Sequence, residues 1–133
     1  MLKATSLQLL QLRLQPWDPD TTAPTLSSFT LSDAGGGAVS GSFTTSEAGY
    51  FRVVFLADGS AAPTKEDIAG VNAGSIPGYF GGFEGSATVG SNPTGGTGYE
   101  GQTFDVYLVI WDASDNISEV SVVNDLVVAP LAP

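Results

Sequence analysis

A chain of 133 residues with neither cysteine nor histidine can build no disulfide framework or thiolate metal site, and it lacks the commonest general base and metal ligand. Fourteen acidic residues against four basic ones leave a net charge of −10, the opposite of the basic footprint that a nucleic-acid binder needs. A hydrophobic content of 42% with only 14% charged residues excludes a disordered chain, and seventeen glycines and eight prolines among many Thr, Ser and Val point to an all-β domain rich in turns.

The charge is unevenly placed. Residues 1–15 carry Lys3 and Arg13 and no acid, a charge of +2, and the remainder carries −12. In this basic segment Leu7, Leu9, Leu10, Leu12 and Leu14 are interrupted by Gln and Arg, so no apolar run reaches signal-peptide or membrane length. Leu10, Leu12 and Leu14 alternate as in a strand, whereas Leu7, Leu10 and Leu14 would also line one helical face; an extended arm is the favoured reading. In either form the stripe is too short to bury against itself. It would pack on its own domain or on another chain. Burial of five leucines would yield on the order of 7–15 kcal/mol gross, of which association and ordering consume about 4–15 kcal/mol. One arm would therefore hold weakly, and a site repeated in a lattice or homo-oligomer would hold well.

Residues 16–24 hold Pro16, Pro19 and Pro24, which disfavour helix and stiffen the chain toward an extended form. The expected organisation is an arm at 1–16, a linker at 17–24, a sandwich at 25–129 and a tail at 130–133. Trp17 is either an anchor at the joint or a lid on the core.

Strands are expected at 25–31, 38–45 and 49–56. The last is the strongest of the three, with Phe51, Val53 and Phe55 on one side and Tyr50, Arg52, Val54 and Leu56 on the other. Residues 62–70 read as a short helical turn capped by Thr64, with Asp67 three residues on and Gly70 closing it. From Gly70 to Gly101 lie eleven of the seventeen glycines. A strand is expected at 83–89 and a loop at 91–98. The chain then enters its most apolar stretch, 104–128, in which Phe104, Val106, Leu108 and Ile110 alternate with Asp105, Tyr107, Val109 and Trp111. A turn at 112–116 leads to a second β-rich run over 117–128. This hairpin is too apolar on both faces to stand alone and needs a second sheet to cover it.

Short strands at this spacing suggest an antiparallel sandwich, and particular stretches carry a family likeness. Residues 20–28, DTTAPTLSS, resemble the opening of bacterial and phage domains of the fibronectin type III or immunoglobulin-like kind. Residues 101–110, GQTFDVYLVI, look like that family's penultimate strand, and 112–118, DASDNIS, resemble its last hairpin, with Asp115 where Gly is usual. Residues 43–71 resemble a variety found in phage virion proteins, where a strand runs into an A-P-T turn and a short helical segment. Phe104 stands where the family often has Tyr, so the corner hydrogen bond of a tyrosine hydroxyl is lost. The resemblance implies an immunoglobulin-like or fibronectin type III-like sandwich of about seven strands, and a structural accessory role in a virion. Such a protein would be assembled in the host cytoplasm rather than secreted.

Catalysis finds little material here. Ser–base and Cys–base pairings are impossible without His or Cys, and the acids are scattered through turns and exposed positions. The protein is therefore expected not to be an enzyme and to carry no cofactor. Asp112, Asp115, Asn116 and Glu119 bear oxygen ligands, but their spacing lacks the full series of a calcium loop, so no metal is expected. Tyr79, Phe80, Phe83 and Tyr99 lie among glycines and would either stack on sugar rings of a surface glycan or close the open end of the sandwich. The expected partner is the major capsid or a tail protein of a virion, bound through the leucine arm and Trp17, with neither nucleic acid nor membrane. The alternative is an independent carbohydrate-binding module.

Overall fold

The computed structural model describes residues 20–131; the expected arm, with Leu7, Leu9, Leu10, Leu12, Leu14 and Trp17, lies outside them. Seven strands follow in order: β1 (Leu26–Gly35), β2 (Ala38–Thr45), β3 (Gly49–Ala57), β4 (Tyr79–Ala87), β5 (Gly90–Gly96), β6 (Gln102–Trp111) and β7 (Ser121–Val128). One sheet has the order β1-β2-β5 and the other β4-β3-β6-β7, and every strand pair is antiparallel. The all-β antiparallel sandwich expected from the sequence is the fold found. In the immunoglobulin constant arrangement the fourth strand lies in the sheet of the first and second; here it pairs with the third.

The alternation in β3 and β6 fixes which side chains meet between the sheets. Val53, Phe55, Phe104, Val106, Leu108 and Ile110 are fully buried, and Phe43 from β2 closes over them from the opposite sheet. Burial of a side chain of this size stabilises by roughly 1.5–3 kcal/mol, which makes β6 the centre of the core. The outward positions of the same strands are buried as well. Val54, Leu56, Tyr107 and Val109 pack beneath Ile68 and Ile76, carried by a helix α1 (Lys65–Ala69) and the segment after it, which includes a 3-10 turn (Ala73–Ser75). The sheet thus has two covers. The second is not a sheet but the β3–β4 connection.

α1 begins as the sequence specifies. The Asp67 N–H donates to Thr64 Oγ1 at 3.1 Å and the Thr64 N–H to Asp67 Oδ2 at 3.1 Å, a complete capping box. The Gly70 N–H donates back to the Glu66 carbonyl. At the β1–β2 turn, Gly35 pairs with Ala38, and the two central residues Gly36 and Gly37 have φ of 63° and 80°. That is the left-handed pair a two-residue hairpin requires.

Three expectations are corrected. The loop expected at 91–98 is largely β5, which pairs with β2 residue for residue from Gly90↔Thr45 to Gly96↔Val39. Its glycines and Pro93 hide it from any pattern, and Pro93 is tolerated because β5 is an edge strand. The strand expected at 83–89 starts earlier, at Tyr79, and stops at Ala87. The run at 117–128 is not one strand: Ile117 makes a single bridge to Trp111, and β7 begins only at Ser121.

Candidate functional site

The register gives the domain two distinct ends. At one, the chain enters at Asp20, and the β2–β3, β4–β5 and β6–β7 turns gather. The Asn116 side-chain amide donates to the Asp20 carbonyl and ties the entry to the β6–β7 turn. At the other end lie the β1–β2 turn, the start of β4 and the end of β7.

The four aromatics singled out in the sequence converge on this second end. They belong to strand β4 and to the residues before β6 rather than to one long loop. Tyr99 stacks on Phe55 with centroids 4.0 Å apart and meets Phe104 edge-on at 5.7 Å. It is buried, and burial first, then the neighbouring Tyr79, pushes its hydroxyl pKa up. Phe83 lies 5.7 Å from Phe55 and packs against the inner core. Phe80 leans on Phe104 at 4.9 Å yet keeps 43% of its surface exposed, and Tyr79 keeps 37%. Tyr99 and Phe83 therefore close the sandwich, and Phe80 and Tyr79 remain partly exposed at its rim.

Asp112, Asp115, Asn116 and Glu119 do not converge on a common point. Asp112 Oδ1 accepts from the N–H groups of Ser114 at 2.9 Å and Asn116 at 3.0 Å, and its Oδ2 accepts from the Asn116 amide at 3.1 Å. Burial alone would raise this carboxyl, but these bonds and one with the Asp20 side chain outweigh it and hold the pKa below the ordinary carboxylate value. Glu119 pairs with Lys65 at 3.2 Å. The carboxylates that do meet are Asp20, Glu47 and Asp112 at the entry end and Asp58, Asp105 and Asp125 at the far end, each trio having oxygens within 4.8 Å of one another. Burial, then the charges of Asp20 and Asp112, raises the pKa of Glu47. Hard cations favour such oxygen sets, but the oxygens of Asp105 and Asp112 are already directed at backbone N–H groups.

A constellation that sequence reading missed lies on the outer face of the four-stranded sheet. Tyr50 and Trp111 are direct cross-strand partners with near-parallel rings, 6.3 Å apart at 19°. The Arg52 guanidinium sits 5.3 Å from the Trp111 ring centroid, a cation–π contact. It also pairs with Glu84 at 3.0 Å and donates to the carbonyls of Ile68 at 2.9 Å and Gly70 at 2.7 Å. Arg52 thus fastens the end of α1 to the sheet. Beside it, Glu66, Ala69, Gly70, Trp111, Asp115 and Ile117 enclose a groove of about 230 Å³. The apolar alternation of β6 places Trp111 on the outer face, but no local signal shows that 66–70 come to lie against 111–117.

No family model matches the chain, and comparison with curated proteins and with solved structures finds no match.

Proposed function

We propose that the protein is a structural accessory, or decoration, component of a tailed phage or phage-like particle. Its leucine-bearing N-terminal segment would dock on the capsid or a tail protein while the acidic sandwich projects outward. The role is non-catalytic. The observation that supports this reading is the polarity of the domain: the chain enters beside the 112–116 turn, and the exposed pair Tyr79 and Phe80 sits at the opposite end. Were the segment before Asp20 held on a particle, a domain so built would present its far end to solvent. Residues 1–15 have the composition of a docking element, with six leucines and a charge of +2, against −12 for the remainder of the chain. Deletion of residues 1–16 tests it. The truncated protein should stay soluble and no longer co-sediment with particles; normal incorporation would refute the arm's role.

A second reading, carbohydrate binding, draws on Tyr79 and Phe80, which are consecutive at the start of β4 and remain 37% and 43% exposed. Binding on a glycan array that disappears in both Tyr79→Ala and Phe80→Ala would favour it over decoration alone.

A further inference from the structure

The groove beside Trp111 differs from the rest of the surface in what its walls offer. One wall is an indole ring; Ala69, Gly70 and Ile117 supply apolar surface, and Glu66 and Asp115 supply carboxylates. Apart from the indole N–H, the polar side chains lining it are acceptors. The two cations of the described residues are both engaged, Arg52 with Glu84 and Lys65 with Glu119. Glu66 and Asp115 have no ion-pair partner among the described residues. The groove's own lining thus offers two carboxylates and an indole, while Arg52 lies against the same ring and Lys65 adjoins Glu66, each cation held by its own carboxylate. The groove's volume of about 230 Å³ falls below the roughly 300–1,000 Å³ of pockets that engulf a drug-sized molecule, so it suits a single head group. Arg52, on the same ring, is an internal example of what that ring receives: a guanidinium over an aromatic face, its N–H groups directed at carbonyl oxygens.

We propose that this groove receives a lysine or arginine side chain from a partner protein. The cation lies against the Trp111 ring, and Glu66 and Asp115 accept its hydrogen bonds. The occupant is a basic side chain rather than a neutral or anionic group because the complementarity is of charge: acceptors and a π face on one side, donors and a positive charge on the other. The proposal stands apart from the role of the leucine segment and does not require a virion.

The test follows the Trp111 indole N–H resonance in the full-length ¹⁵N-labelled protein, assigned by its disappearance in Trp111→Phe. The protein is titrated with a blocked lysine peptide, with its norleucine counterpart, and with a neutral oligosaccharide. A saturable shift should appear with the lysine peptide alone and should weaken as salt is raised. The pair Glu66→Gln with Asp115→Asn should weaken it about five-fold, as expected for the loss of two exposed charge contacts, while Asp33→Asn at the far end should leave it unchanged. The substituted carboxylates are exposed, and far-ultraviolet circular dichroism of each variant is the check that the fold survives. An equal response to the norleucine peptide, full binding in the double variant, or a shift produced by the oligosaccharide and not by lysine would each overturn the proposal.

Discussion

Asp105 and Asp125 face each other across a bulge in the β6–β7 pair, and the Asp125 N–H donates to Asp105 Oδ1 at 3.2 Å. Register passes from Phe104↔Leu126 to Val106↔Val123, so Asn124 and Asp125 together oppose Asp105. Asp125 takes the left-handed conformation at φ 55°, which Asp tolerates better than most residues. The other oxygen of Asp105 accepts from the Gly59 N–H at 3.1 Å. One buried carboxylate therefore ties the bulge to the turn that leaves β3.

Asp105→Ala removes the acceptor of both N–H groups at a position 8% exposed. Leaving such donors without a partner costs about 1–3 kcal/mol. Urea unfolding should show a lower midpoint with an unchanged slope, and Asp105→Asn, which keeps one acceptor oxygen, should fall between the variant and wild type. A midpoint unaltered by Asp105→Ala would mean that water replaces both bonds.

The same corner carries a pH dependence. Asp58 has its pKa raised above the ordinary 3.8, first by its hydrogen bond with the Asp125 carboxyl, then by burial and by the charges of Asp125 and Asp105. The folded protein thus binds this proton more tightly than the unfolded chain. The associated stability is fully present below the ordinary value and is lost as pH rises through the raised one. Asp58→Asn removes the charge that is unfavourable at neutral pH. Its melting temperature should exceed that of wild type at neutral pH, and the gain should vanish well below pH 3.8. A gain of equal size at both pH values would assign the effect to something other than this titration.

How much of this was legible in the sequence depended on where each signal resided. β3 and β6 announced themselves through apolar alternation, and the Thr64–Asp67 capping box through residue types three positions apart, because both signals are local. β5 was illegible because its sequence, GSNPTGG, has no apolar alternation; it is a strand because β2 offers a partner for every residue. The outward Tyr107 and Val109 did declare that β6 needs cover on both faces. That the cover comes from Ile68 and Ile76 rather than from a sheet is a long-range outcome that no periodicity encodes. The glycine-rich setting of the four aromatics reads as loop, whereas three of them lie in β4, and which of them stay exposed follows only from the register of that strand. The Trp111 groove was unreadable for the same reason, since its two walls are more than forty residues apart in the chain.

Gly41 shows how a strand glycine can be required rather than tolerated. It lies in β2 opposite Leu31, next to the point where the β1–β2 register shifts. A side-chain carbon placed there would overlap the Thr30 carbonyl oxygen. Gly41→Ala must push the two strands apart, and overpacking of this kind costs about 1–3 kcal/mol. Thermal unfolding should register the loss. Gly59→Ala, where the added carbon would meet nothing but the φ of 86° is left-handed, separates steric overlap from backbone strain. If Gly41→Ala proves no worse than wild type, the approach of β1 to β2 at this point is looser than the geometry states.

Thr94 is the reverse case, a side chain whose polar atom lacks a partner. Its Oγ1 is buried with no hydrogen bond among the described residues, although it sits in an edge strand directly opposite Gly41. A buried hydroxyl without a partner costs roughly 1–3 kcal/mol on the evidence of protein substitutions, and valine has the same shape with a higher preference for strands. Thr94→Val should therefore raise the urea midpoint, by about 1 kcal/mol of stability, with no change in slope. The sign is the informative part, because a polar-to-apolar change at the surface of a sheet would ordinarily be neutral. A lowered midpoint would show that the hydroxyl is satisfied in solution, most simply by a bound water, and that the β2–β5 edge is wetter than its geometry implies.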